Sequence, residues 1–147
     1  MSKNWVQDIA DMHAKYGVHP VVKQFDRDKL EAFLKFRIDF LQEELDEMRK
    51  AVVDRQAGKI HAITAADDTV DALIDLCVVA IGTLDAFNVD AHTAWDRVLE
   101  ANMNKEVGIK ESRPNPLGLP DLIKPAGWTA PTHADNIGLL NKTYGKQ

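Results

Sequence analysis

The chain lacks most of the features that assign a sequence to a familiar class. It has one cysteine, Cys77, among 147 residues, which excludes an internal disulfide framework and any zinc site built from cysteines alone. Long apolar runs are absent: the richest stretch, Ala72 to Leu84, is too short to span a bilayer and contains Asp75. Met1 to Gly17 carries charges throughout and has no apolar core, so it does not read as a signal peptide. Positive charge is not in excess either. With 23 acidic against 18 basic residues the formal net charge is −5, which disfavours non-specific binding to nucleic acid or an anionic membrane. Together these absences predict a cytoplasmic protein with neither nucleic acid nor membrane as partner. There is also no P-loop, no G-x-S-x-G, no EF-hand loop and no Glu-x-x-His pair of the kind di-iron bundles need.

What is present is an ordinary globular composition, 45% hydrophobic and 28% charged, with helical periodicity over most of its length. Trp5, Ile9, Met12 and Tyr16 recur at helical spacing, and Gly17 is a natural stop. Val18 to Phe25, with Pro20, reads as a connector. A long helix is expected from Asp28, capped by that residue with Glu31 closing the box, to about Gln56. A loop from Gly58 to Ile63 then leads to a third helix, capped by Thr64 and running to Phe87. Its middle is apolar almost all round, which predicts a central, buried helix. A fourth helix follows Asp90, carries Ala94, Trp95, Val98, Leu99 and Met103, and fades near Gly108. Five of the six prolines lie between Arg113 and Pro131, which excludes a long helix there. The predicted architecture is all-α and four-helix bundle-like, with a helical domain over residues 1–110. An extended proline-rich arm over 111–147 would pack on the bundle or on a partner subunit.

The chemical signal is a set of carboxylates on helices two and three. Glu44 and Glu47 share a face, with Glu43 on its flank and Arg37 and Phe40 continuing it toward the N-terminus. Asp68 and Asp75 each lie within about 60° of Asp71 around the third helix, so the three form a stripe. Like charges stacked this way destabilise a helix unless a cation pairs with them. Between Arg55 and Arg97 the only lysine or arginine is Lys59, so a bound cation is the simplest counter-charge. All-oxygen ligation suits Mg²⁺, Mn²⁺ or Ca²⁺. The alternatives for the acidic face are a solvated helix surface or a non-catalytic interaction module with a cation site. Cys77 reads as inert core and His13 as a helix-surface residue.

Glu43-Glu44-x-x-Glu47 followed by Asp68-x-x-Asp71 resembles the EExxE…ExxD signature of the MazG-like all-α nucleoside triphosphate pyrophosphohydrolases, with Asp68 in place of the usual glutamate. Asp71-Ala-Leu-Ile-Asp-Leu-Cys-Val-Val-Ala-Ile-Gly-Thr, Ala101-Asn102-Met103-Asn104-Lys105, Met12-His13-x-Lys15-Tyr16-Gly17 and Lys124-Pro125-Ala126-Gly127-Trp128-Thr129-Ala130-Pro131 are similar to a bacterial and phage subgroup that includes dimeric dUTPase-like enzymes. The resemblance implies Mg²⁺-dependent (or Mn²⁺-dependent) cleavage of an NTP or dNTP between the α and β phosphates, giving the monophosphate and pyrophosphate. Phosphoribosyl-ATP is the alternative substrate within this class. It implies Glu44, Glu47, Asp68 and Asp71 as metal ligands, with Asp71 among the catalytic groups and Glu43 as a further ligand or water-orienting base. Asp75 would support a ligand or pair with a helix-four residue. Asn102, Lys105 and Lys124 would reach phosphate oxygens, Trp128 would stack on the base or close the site, and Arg37 would contact phosphate. It also implies a homodimer or a dimer of dimers.

Overall fold

The computed structural model describes residues 3–113, 115–119 and 121–145. Pro114 and Pro120, two of the prolines behind the predicted arm, lie outside the described residues. The fold is all-α: helices α1 (Trp5–Tyr16), α2 (Val18–Val22), α3 (Arg27–Gln56), α4 (Ala62–Ala86), α5 (Ala91–Met103) and α6 (Leu140–Tyr144), with a small ribbon of β1 (Glu106–Gly108) and β2 (Asp121–Ile123). Two compact units make up the chain, residues 1–91 with 137–147, and residues 92–136. No helix among the described residues is long and apolar enough to cross a membrane.

In the first unit α3 and α4 form an antiparallel hairpin joined by a short turn at Gly58. The chain reverses there at a φ of 72°, and the Lys59 N–H closes the turn on the Asp54 carbonyl at 2.8 Å. This tight reversal starts α4 at Ala62, so the expected cap Thr64 lies within its first turn. At the other end of α3, Asp26 accepts from the Lys29 N–H at 2.9 Å. The cap is therefore Asp26 and not Asp28, and Glu31 pairs instead with Arg27, one turn before it, at 2.8 Å. The Val18–Phe25 connector proves to contain α2. Pro20 sits in its first turn, where a missing N–H costs nothing. α4 ends as expected, with Asn88 in the left-handed region at a φ of 57°.

The core gathers at the end of the hairpin away from the Gly58 turn: Val22 of α2, Leu30 of α3, and Phe87 and Val89 after α4 are buried together. Phe33 stacks on Phe87 with ring centroids 5.5 Å apart. The single chain does not bury α4 on all sides, contrary to the sequence expectation. Val70 is 62% exposed, Leu73 47% and Ile74 46%. The first helix also packs one step round from the expected stripe: Ile9 and His13 are buried while Trp5, Met12 and Tyr16 are exposed.

The C-terminus is not an arm throughout. Residues 137–145 rejoin the first unit, where the Leu139 N–H donates to the Phe87 carbonyl at 2.7 Å, Lys142 Nζ donates to the Phe25 carbonyl at 2.7 Å and Thr143 is fully buried. In the second unit the proline-rich stretch packs on α5. Arg97 forks onto Asp135 at 2.7 and 2.8 Å, and Trp128 Nε1 donates to the Ala101 carbonyl at 2.7 Å. β1 pairs antiparallel with β2, Val107 opposite Leu122.

The return of the chain to Phe87 depends on Gly138, which has a φ of 49° and no room for a Cβ against the Phe87 and Asn88 carbonyls. Gly138→Ala therefore meets both backbone strain and a clash. It should destabilise the protein by about 2 kcal/mol or more, read as a fall in Tm of roughly 5 °C. An unchanged melt would show that the C-terminal return contributes nothing to the core.

Candidate active site

The α3–α4 hairpin sets the acidic faces of the two helices against each other. Moving along α3 from Phe33 to Lys50, the partners on α4 move backwards from Phe87 through Thr83, Val79 and Asp75 to Asp68. Glu44 therefore faces Asp71 and Asp75. Glu44 Oε2 is buried and has no hydrogen-bond partner. Burial, and then the charges of Glu47, Asp75, Asp71 and Glu43, hold its carboxyl above the ordinary range. Five carboxylates thus share one small region with an unsatisfied buried oxygen at its centre.

A groove of about 310 Å³ continues from this point toward the turn, lined by Glu47, Lys50, Ala51, Asp54, Ile60, Asp68 and Asp71. Asp68 and Asp71 are exposed in it and Asp75 is half-buried, so these aspartates face solvent more than their apolar helix suggests. The buried acid of the groove is Asp54, which the sequence reading passed over. Its signal was the i, i+4 spacing to Lys50. Lys50 forms an ion pair with Asp54 and Lys59 Nζ lies 3.8 Å from it, so both lysines are committed to Asp54. Lys50 also feels Asp68, but its hydrogen bond to Asp54 is the first cause of its raised pKa.

Arg37 lies on the Glu44 face of α3, as expected, and is turned onto α4. Its Nε donates to Thr83 Oγ1 and an Nη donates to the Val79 carbonyl, both at 3.0 Å. The guanidinium lies 5.7 Å from the Phe40 ring centroid, and burial lowers its pKa. The remaining candidates belong to the second unit. Lys105 Nζ donates to Asn102 Oδ1 at 2.8 Å, and the ammoniums of Lys105 and Lys124 lie 5.5 and 4.8 Å from the Trp128 ring centroid. Trp128, alone of these four, lines a cavity of about 780 Å³ between α5 and residues 125–135. The structure thus brings Glu43, Glu44, Glu47, Asp68 and Asp71 together in one unit, and Asn102, Lys105, Lys124 and Trp128 together in the other.

His13 is the clearest departure from the sequence reading. It is buried, and its Nδ1 lies 2.6 Å from Asp85 Oδ2. Its burial follows from the true packing face of α1, which Ile9 shares.

The orphaned Glu44 oxygen and the carboxylates around it offer oxygen atoms alone, the donor type that suits Mg²⁺ or Mn²⁺. Without a cation, ionising Glu44 in the folded state costs more than in the unfolded chain. Glu44 therefore lowers stability as pH rises from the ordinary glutamate range through its raised value. In EDTA, Glu44→Gln should raise Tm by a few degrees at pH 7 and by less at pH 4.5. A Tm difference that does not change with pH would remove the argument for repulsion at Glu44.

The sequence pattern of phosphoribosyl-ATP pyrophosphohydrolase matches residues 23–102. That stretch is more than half of the chain and contains all the carboxylates of the α3–α4 hairpin named above. No curated protein matches the chain. The chain belongs to the phosphoribosyl-ATP pyrophosphohydrolase family, within the MazG-like all-α superfamily, whose members are pyrophosphohydrolases of nucleotides.

Proposed function

We propose that the protein hydrolyses a nucleoside triphosphate, NTP or dNTP, between the α and β phosphates, releasing the monophosphate and pyrophosphate in a reaction that requires Mg²⁺ or Mn²⁺. The observation that carries this reading is the unpartnered, buried Glu44 oxygen among Glu43, Glu47, Asp71 and Asp75. An acidic groove repels a polyphosphate unless a cation lies between them. Glu44, Glu47, Asp68 and Asp71 would hold that cation. When bound, it neutralises phosphate charge and acidifies a water. Glu43, exposed beside Glu44, takes the role of orienting that water or accepting its proton. Within the second unit, Asn102, Lys105 and Lys124 are donors of the kind that suit phosphate oxygens, grouped around the Trp128 ring. Membership in a pyrophosphohydrolase family favours an enzyme over a non-catalytic helical module.

A second substrate reading is phosphoribosyl-ATP, favoured by the name of the family whose pattern matches. Both substrates break the same bond, so the products separate them only when each is offered. Pyrophosphate release should be measured for the eight common NTPs and dNTPs and for phosphoribosyl-ATP, with Mg²⁺ and with EDTA. Activity on one of these that EDTA abolishes is the expected result. Asp71→Asn should lower it at least about 100-fold, since a ligand and its charge are lost, and should leave the metal-free melt unchanged or higher. Orthophosphate as the sole product, or a fully active Asp71→Asn, would overturn the reading.

The exposed apolar face of α4 (Val70, Leu73, Ile74) and that of α5 (Trp95, Leu99, Met103) support a homodimer or dimer of dimers, in which a second copy covers them. Light scattering at micromolar concentration should give at least twice the 16.4 kDa chain mass, and Leu73→Glu should reduce it. A monomeric wild-type mass would refute this assembly.

A further inference from the structure

At the end of α4 away from the carboxylate groove, three side chains from three helices meet at one point. His13 of α1 places Nδ1 2.6 Å from Asp85 Oδ2, and His19 of α2 places Nε2 2.7 Å from the same oxygen. All three atoms lie within 4.8 Å of one another. The two imidazole rings stand 5.9 Å apart and 76° to each other. The backbone arranges this convergence. Gly17, in the left-handed region at a φ of 69°, turns the chain sharply between α1 and α2, so that two histidines six positions apart face the same helix. Gly82 lets α1 approach α4: a Cβ there would lie 3.3 Å from the His13 ring. His13 is buried, Asp85 is mostly covered, and His19 is the most accessible of the three.

We propose that His13, His19 and Asp85 form a second cation site, specific for a borderline divalent ion such as Zn²⁺ or Co²⁺, that ties α1 and α2 to the end of α4. Two imidazole nitrogens and one carboxylate oxygen favour such ions over Mg²⁺. Three protein ligands leave a fourth, tetrahedral position for water. Bonds of about 2.0–2.1 Å set neighbouring ligand atoms about 3.3 Å apart, so the carboxylate oxygen has to draw back about 0.6 Å from each nitrogen. His19, at the accessible side, has the freedom to follow. Asp85 lies fourteen residues beyond Asp71 on the same helix, about 21 Å away. The site is therefore distinct from the carboxylate centre, and it does not depend on the function proposed above. His13 and His19 also lie outside the matched stretch 23–102.

The test uses the full chain, freed of metal with EDTA and returned to millimolar Mg²⁺ so that Mg²⁺ competes for the carboxylate groove. Co²⁺ is then titrated and its visible absorption recorded, and bound Zn²⁺ is counted after dialysis. The expected result is one tightly held ion per chain, with Co²⁺ bands of nitrogen–oxygen coordination. His19→Ala and Asp85→Asn should each weaken binding at least about tenfold, and the Glu44→Gln/Glu47→Gln double variant should leave it unchanged. His19→Ala alters the most accessible ligand and should fold, as judged by its helical signal. It decides the question alone if Asp85→Asn does not fold. Undiminished binding by His19→Ala, loss of the ion from the Glu44/Glu47 variant, or displacement of Zn²⁺ by Mg²⁺ would each overturn the proposal.

Discussion

Two acidic helix faces pressed together repel, and the rest of the first unit is organised around that repulsion. Glu44 and its four acidic neighbours sit in the middle stretch of the α3–α4 hairpin. About 10 Å along α3 to one side, Arg37 bonds the Val79 carbonyl and Thr83 Oγ1, and beyond it Phe33 stacks on Phe87. About 15 Å to the other side, Asp54 gathers Lys50 and Lys59 and the turn closes at Gly58. The helices are held at both ends and charged in the middle. This is the arrangement needed to keep like charges close without a permanent internal counter-ion. Filling the centre with a lysine would relieve the repulsion and remove the demand for a cation.

The division of labour among the basic residues follows from the same constraint. Arg37 sits on the acidic face by helical spacing, yet its N–H groups reach across to α4, because a planar guanidinium can satisfy a backbone carbonyl and a hydroxyl at once while lying over the Phe40 ring. Lys50 and Lys59, nearest the groove, serve Asp54, the buried acid among its lining residues. A buried, unpaired Asp54 would be far more costly than the exposed Asp68 or Asp71. Arg37, Lys50 and Lys59 therefore hold the frame together, and none of them neutralises the acidic centre.

The sequence made the long helices and the carboxylate pairs legible because both rest on local spacing. The 3.6-residue period places Glu44 with Glu47 and Asp71 with Asp75 whatever the tertiary context. The features that depend on which face is buried were harder to read. On α1, Trp5, Ile9, Met12 and Tyr16 form the apolar stripe, but of these only Ile9 is buried, and the helix packs through it and His13. A histidine fits there because Asp85, seventy-two positions away, satisfies it, and no local pattern reveals such a partner. On α4 the pattern is apolar all round, which fixes how much surface wants cover but not what covers it. In the tail, proline content correctly excludes a long helix, but Gly138 and Leu139 return the chain to Phe87 through backbone geometry that composition does not express.

The two ends of α4 differ in kind as well as in place. Toward its start, Asp68, Asp71 and Asp75 meet glutamates across the hairpin and offer oxygen alone. That chemistry suits a hard, hydrated cation which can keep waters and exchange with a phosphate-bearing ligand. Toward its end, Asp85 meets two imidazoles, one from α1 and one from α2. Nitrogen ligands hold an ion more selectively and give up fewer positions to exchange, which is the behaviour of a clasp. One helix can carry both because about 21 Å of its length separates the groups, with Val79 and Gly82 buried between them. The selectivity at each end comes from the ligand atoms that neighbouring helices bring to it. The aspartates of α4 supply the common oxygen, and α3 on one side, or α1 and α2 on the other, set the ligand atoms that stand beside it.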